Sequence, residues 1–116
     1  MAIISSRRYR DGKPSENTLA IDGKPRRALP RGSFDWVGLA NPGREEMELV
    51  RSQFALHPLS VEDALNPTQM PKVDIYGNQL FVIARTAAMQ EGENIGYGQT
   101  AIFLGKDFVV TVRQGS

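Results

Sequence analysis

The spacing of hydrophobic positions divides this chain into a weakly patterned start, a helical middle and a β-rich end. Before Ser33 the apolar pieces are short. Ala2-Ile3-Ile4 with Arg7-Arg8-Tyr9-Arg10 predicts an edge strand ending at the Asp11-Gly12 turn. Leu19-Ala20-Ile21 is a second apolar piece, stopped by Asp22-Gly23. Lys24 to Gly32 holds two prolines and no period, so it reads as a loop.

From Phe34 the pattern sharpens. Phe34-Asp35-Trp36-Val37-Gly38-Leu39 reads as a buried strand, because aromatic and β-branched residues suit a packed pleated surface, and Trp36 is expected in the core. Asn41-Pro42 predicts a helix entry. Asn41 can cap free N–H groups, Pro42 loses nothing by lacking its own, and Glu45 and Glu46 suit the positive end of the dipole. Met47, Val50 and Phe54 then recur at helical spacing, to about Ala55. A second, short helix runs from Pro58 to Leu65 with Val61, Ala64 and Leu65 as its stripe, and Asn66-Pro67 stops it. Glu62 and Asp63 lie off that stripe and are expected to face solvent or a partner.

The last third reads as β. Val73 to Tyr76 and Gln79 to Thr86 flank Gly77-Asn78, a two-residue hairpin signal. Leu80 to Ala84 is apolar at every position, which predicts a central strand covered on both faces. Gln90 to Asn94 reads as a polar loop. Tyr97 to Leu104 and Phe108 to Arg113 form another hairpin around Gly105-Lys106-Asp107. Helices in the middle and strands at the end predict an α+β fold with a mostly antiparallel sheet.

Composition adds exclusions. With 116 residues, 41% of them hydrophobic and 23% charged, the chain suits one globular domain. It has no cysteine, which removes disulfides, thiolate zinc sites, thiol catalysis and iron–sulfur clusters. The longest apolar run, Leu80 to Ala84, is far short of the ~20 residues of a membrane helix. The start lacks a signal-peptide pattern, so the cytosol is the expected compartment. A net charge of +1 conceals an asymmetry, since eight of the 14 Lys and Arg precede Gly32.

Candidate chemistry is sparse. Gly96-Tyr97-Gly98-Gln99-Thr100-Ala101 has the letters of a dinucleotide fingerprint, but that motif works between a strand and a helix, and Ile102-Phe103-Leu104 continues as strand. His57 is the only histidine and reads as a cap or a packed residue. Glu45, Glu46 and Glu48 read as a solvated helix face. Glu62-Asp63 stands apart, isolated on a short apolar helix. Two adjacent acids could supply part of an Mg²⁺ oxygen shell without completing it, or could simply be solvated. Only Tyr9 is interleaved with the early arginines, so the basic start reads as solubilising surface and no nucleic-acid partner is expected. Spacing alone thus gives a soluble α+β domain with no catalytic constellation.

Word order says more. The blocks Asp35-Trp36-Val37-Gly38-Leu39, His57-Pro58-Leu59-Ser60-Val61-Glu62-Asp63-Ala64-Leu65-Asn66, Pro71-Lys72-Val73-Asp74-Ile75-Tyr76-Gly77-Asn78 and Ile102 to Arg113 closely resemble the cytosolic N-terminal domain of CorA-type magnesium/cobalt channels. The resemblance runs from about Ser33 to Ser116, and residues 1–32 are read as part of the same domain. The H-P-L-x-x-E-D block followed by P-K-x-x-x-Y carries most of its specificity. Met70 departs from it, standing where the family usually has arginine.

The resemblance implies an α/β/α sandwich around a mixed sheet, non-enzymatic, within the cytoplasmic part of an inner-membrane homopentamer. The stalk, membrane helices and Gly-Met-Asn signature of such channels lie outside this sequence. It also implies that Glu62 and Asp63, Asp63 above all, contribute to regulatory sites between subunits. Mg²⁺ there, or Co²⁺ or Ni²⁺, would hold the pore closed, and binding to this chain alone should be weak or absent. Two other readings stay open. One is the zinc-transporting branch of the same superfamily, and the other is a stand-alone adaptor binding acidic partners through its basic first third.

Overall fold

A computed structural model describes residues 2–89, 91–93 and 95–115. It contains strands β1 (Ile3–Arg10), β2 (Lys13–Thr18) and β3 (Ser33–Ala40), helices α1 (Arg44–Phe54) and α2 (Pro58–Leu65), and strands β4 (Lys72–Tyr76), β5 (Gln79–Met89), β6 (Ile95–Leu104) and β7 (Phe108–Gly115). The strands form one mixed sheet in the order β2-β1-β3-β7-β6-β5-β4. All neighbours are antiparallel except β3 and β7, which run parallel from Asp35↔Phe108 to Ala40↔Arg113. That pair joins an N-terminal meander to a C-terminal one, so the α+β expectation holds with a mixed sheet.

Both helices pack on one face. Val37 and Leu39 of β3, Phe81 and Ile83 of β5, Ala101 and Phe103 of β6, and Val110 and Val112 of β7 meet Met47, Val50 and Phe54 of α1 and Val61 and Ala64 of α2. On the opposite face Trp36, Leu80, Val82, Ile102 and Val109 are only half-buried, and Val73 and Ile75 are 63% and 75% exposed. Among the described residues no helix lies there. This corrects two expectations: the apolar strand around Leu80 is covered on one side, and Trp36 lies outside the core. The reason is the period of two, which sends alternate residues to opposite faces.

The start of the chain departs most from its sequence reading. β1 is not an edge strand, because β2 pairs with it through a tight turn in which Asp11 and Gly12 have φ of 50° and 81°. β2 is exposed at every position, so no hydrophobic period marks it. At α1, Gly43 rather than Asn41 is the N-cap. Asn41 adopts φ 48° and its Oδ1 accepts from Gly115 N at 3.0 Å, tying β3 to the end of β7 instead. Glu46 is not merely solvated, since its Oε2 accepts from Ala2 N at 3.0 Å. Gln90 and Asn94, the ends of the expected polar loop, lie outside the described residues. Glu91–Glu93 between them form a 3-10 turn.

The patternless segment between β2 and β3 is held by polar contacts. Gln53 of α1 is buried, its Oε1 accepting from Asp22 N and Gly23 N and its Nε2 donating to Ala20 O at 2.9 Å. Asp35, 0% exposed, lies between two arginines: Oδ1 accepts from Arg8 Nε at 2.8 Å and Oδ2 from Arg26 Nε at 3.1 Å. Arg26 also donates to Asp107 Oδ1 at 2.8 Å and lies over the rings of Phe54 and Phe108. Burial disfavours a charged Asp107 carboxyl, but the Leu29 N–H and the Arg26 guanidinium outweigh it and hold the group below its ordinary value.

Candidate functional site

α2 begins and ends where the sequence said it would. His57 caps it: the imidazole Nδ1 accepts from Leu59 N at 3.1 Å, which assigns the ring hydrogen to Nε2, and Pro58 takes the first helical turn. At the other end Asn66 leaves helical geometry (φ −93°, ψ 110°) ahead of Pro67. The carbonyl there does not go unpaired. Gln99 of β6, 1% exposed, donates Nε2 to Asn66 O at 3.0 Å, so the fingerprint-like stretch lies in a strand and serves to seat the helix end. Gln99 Oε1 and Ser60 Oγ are buried beneath α2 without a hydrogen-bond partner.

The two acids of the pair diverge. Glu62 is exposed and its Oε1 accepts from Arg44 Nη1, at the start of α1, at 3.3 Å. Asp63, expected to face solvent or a partner, turns towards β4 and is half-buried. Its Oδ1 accepts from Gln69 Nε2 at 3.2 Å and its Oδ2 from Lys72 Nζ at 2.5 Å. Lys72 Nζ also reaches Asp74 Oδ2 at 3.2 Å. The hydrogen bond to Asp63, above all, raises the Lys72 ammonium above its ordinary pKa, so Lys72 stays charged throughout the neutral range. Sequence reasoning missed Lys72, Gln69 and Arg44 as partners of the pair, and Asp74 as a second partner of Lys72. The P-K block itself held the signal for Lys72, since a lysine a short loop beyond two acids is placed to neutralise one.

At the other end of α2 the His57 ring stacks on Tyr76, with centroids 4.2 Å apart and planes 23° from parallel. The H-P-L-x-x-E-D and P-K-x-x-x-Y blocks therefore touch twice, His57 on Tyr76 and Asp63 on Lys72. α2 lies antiparallel to β4 and is fastened to it at both ends. We predict that His57→Ala, losing cap and stack together, lowers stability by about 1–3 kcal/mol in urea denaturation. His57→Asn keeps a capping acceptor and should recover part of that loss. Equal losses in the two variants would remove the cap from this account.

Carboxylates are the donors Mg²⁺ takes. Among the described residues, however, no group of three His, Cys, Asp or Glu stands close enough to hold an ion. The basic first third is also partly committed: Arg7 donates to Ser15 O and Glu16 O, while Arg8 and Arg26 serve Asp35. No described helix is long and apolar enough to cross a membrane.

Both the sequence and the fold have known relatives. Residues 31–116 match the CorA-like Mg²⁺ transporter protein family. YfjQ of Bacillus subtilis (strain 168), named for metal ion transport, is 34% identical over 82 residues, 71% of this chain and 25% of that protein. The soluble domain of CorA from Methanocaldococcus jannaschii shares the fold with a TM-score of 0.70 at 12% identity, over 100% of this chain and 43% of that one. Full-length CmaX also superposes with a TM-score of 0.70, at 16% identity, covering 97% of this chain and 35% of that one. The chain thus spans less than half of each of these relatives. With the family match covering everything from Arg31 onward, and both motif blocks meeting in the fold, this chain belongs to the CorA-like Mg²⁺ transporter family.

Proposed function

We propose that the chain is the cytoplasmic regulatory domain of a homopentameric divalent-cation transporter, in which Glu62 and Asp63 report intracellular Mg²⁺ at a subunit boundary. The observation that carries this reading is the placement of two adjacent carboxylates on α2, one exposed, in a chain of this family. The donor set fits Mg²⁺ as one wall of a shared site. A neighbouring subunit would supply the rest, and Co²⁺ or Ni²⁺ would be taken by similar oxygen donors. Carboxylates brought together from two subunits repel. A bound divalent cation supplies the opposing charge, which favours the assembled form over the separated one. Glu62 and Asp63 then act as ligands and reporters, not catalysts. The one histidine, already committed to its cap and stack, also supports a non-catalytic role.

The half-buried face of the sheet supports a larger assembly. Trp36, Leu80, Val82, Ile102 and Val109 form an apolar surface opposite the helices, of the kind that further chain or a partner covers. The test is the native reading frame beyond Ser116. A long charged helix followed by two apolar runs of ~20 residues is the expected result. A stop codon soon after Ser116 would overturn the transporter reading and favour an adaptor.

A further inference from the structure

We propose that Lys72 is a tethered counter-ion for Asp63, which a divalent cation must displace before that carboxylate can serve as a ligand. This rests on the regulatory reading above and gives it a device within one chain. Both Asp63 oxygens are engaged, Oδ1 by the Gln69 amide and Oδ2 by the Lys72 ammonium. Lys72 offsets the Asp63 charge and occupies one of its oxygens, so Asp63 as it stands offers less to a hard cation than a free carboxylate would. Gln69 is neutral and gives up one hydrogen bond; Lys72 is the charged obstacle.

Lys72 also has somewhere to go. Its Nζ already lies 3.2 Å from Asp74 Oδ2, so it can release Asp63 and remain ion-paired. The side chains of Lys72 and Asp63 are 32% and 22% exposed, which leaves the exchange open to ions from solution. Displacement would have a mechanical consequence. Asp63–Lys72 is one of two fastenings between α2 and edge strand β4, and His57–Tyr76 is the other. Release of the first leaves α2 hinged at its N-terminal end. An ion at Asp63 would thus loosen the helix that carries it.

The test measures ion binding to the 116-residue chain, with Mg²⁺ by isothermal titration and Mn²⁺ by electron paramagnetic resonance. Lys72→Met keeps the stem and removes the charge, and should tighten binding by about tenfold or more. Lys72→Arg should stay as weak as wild type, and Lys72→Met with Asp63→Asn should return to that level. If circular dichroism shows the methionine variant unfolded, Lys72→Gln takes its place. The wild-type chain offers an independent readout in the Lys72 side-chain ammonium resonance, which should shift together with the Asp63 carboxyl signal as Mg²⁺ is added. Folded Lys72 variants that bind no tighter than wild type would overturn the proposal. So would an Asp63 signal that moves while Lys72 does not. Neither result would touch the transporter reading, which stands or falls on the reading frame and on transport.

Discussion

Asp35→Ala should lower folding stability by about 3–5 kcal/mol, the range for removing one partner of a buried ion pair. The carboxylate is fully buried and accepts from both Arg8 and Arg26. Without it Arg26, whose side chain is 12% exposed, keeps only Asp107. Arg8→Ala should cost about 1 kcal/mol or less, because Arg8 is 46% exposed and leaves Asp35 still paired to Arg26. Urea denaturation of the two variants measures the contrast, and an Asp35→Ala loss below that of Arg8→Ala would contradict it. The same network sets an acid limit. Asp107 is held below its ordinary value, so its contribution is complete above about pH 4 and is lost as pH falls through the folded pKa.

That network also shows where the sequence was legible and where it was not. α2 could be placed from Pro58 to Leu65 because a cap, a proline and a proline stop are local signals. The hairpin at Gly77-Asn78 is local too, needing only the positive φ that Gly77 adopts at 61°. The segment from Leu19 to Gly32 carried no such signal. It is anchored by Gln53, Asp35 and Asp107, polar residues distant in sequence, whose burial no period announces. β2 was invisible for a related reason, being an exposed edge strand held by backbone pairing. At the candidate site, the isolation of the two acids on a short apolar helix singled them out, and only the resemblance to a family gave them a regulatory role. Spacing placed Glu62 and Asp63 together on a helix. It could not show that Lys72, across a loop, turns Asp63 towards β4 while Glu62 faces Arg44.

The larger functional effect is expected at Asp63. If this carboxylate reports intracellular Mg²⁺, its removal should not block transport but should release it from control. Asp63→Ala in the transporter encoded by the complete gene should go on taking up cation at internal Mg²⁺ levels that shut the wild type. Glu62→Ala should shift that threshold less, since Glu62 is exposed and already paired to Arg44. Arg44→Ala, which leaves both acids in place, serves as the control for damage to the α1–α2 contact. The deciding measurement is the uptake rate of Mg²⁺ into vesicles loaded with graded internal Mg²⁺. The account predicts that wild-type uptake falls steeply as internal Mg²⁺ rises, while Asp63→Ala uptake stays nearly flat. Identical curves for the two proteins would contradict it.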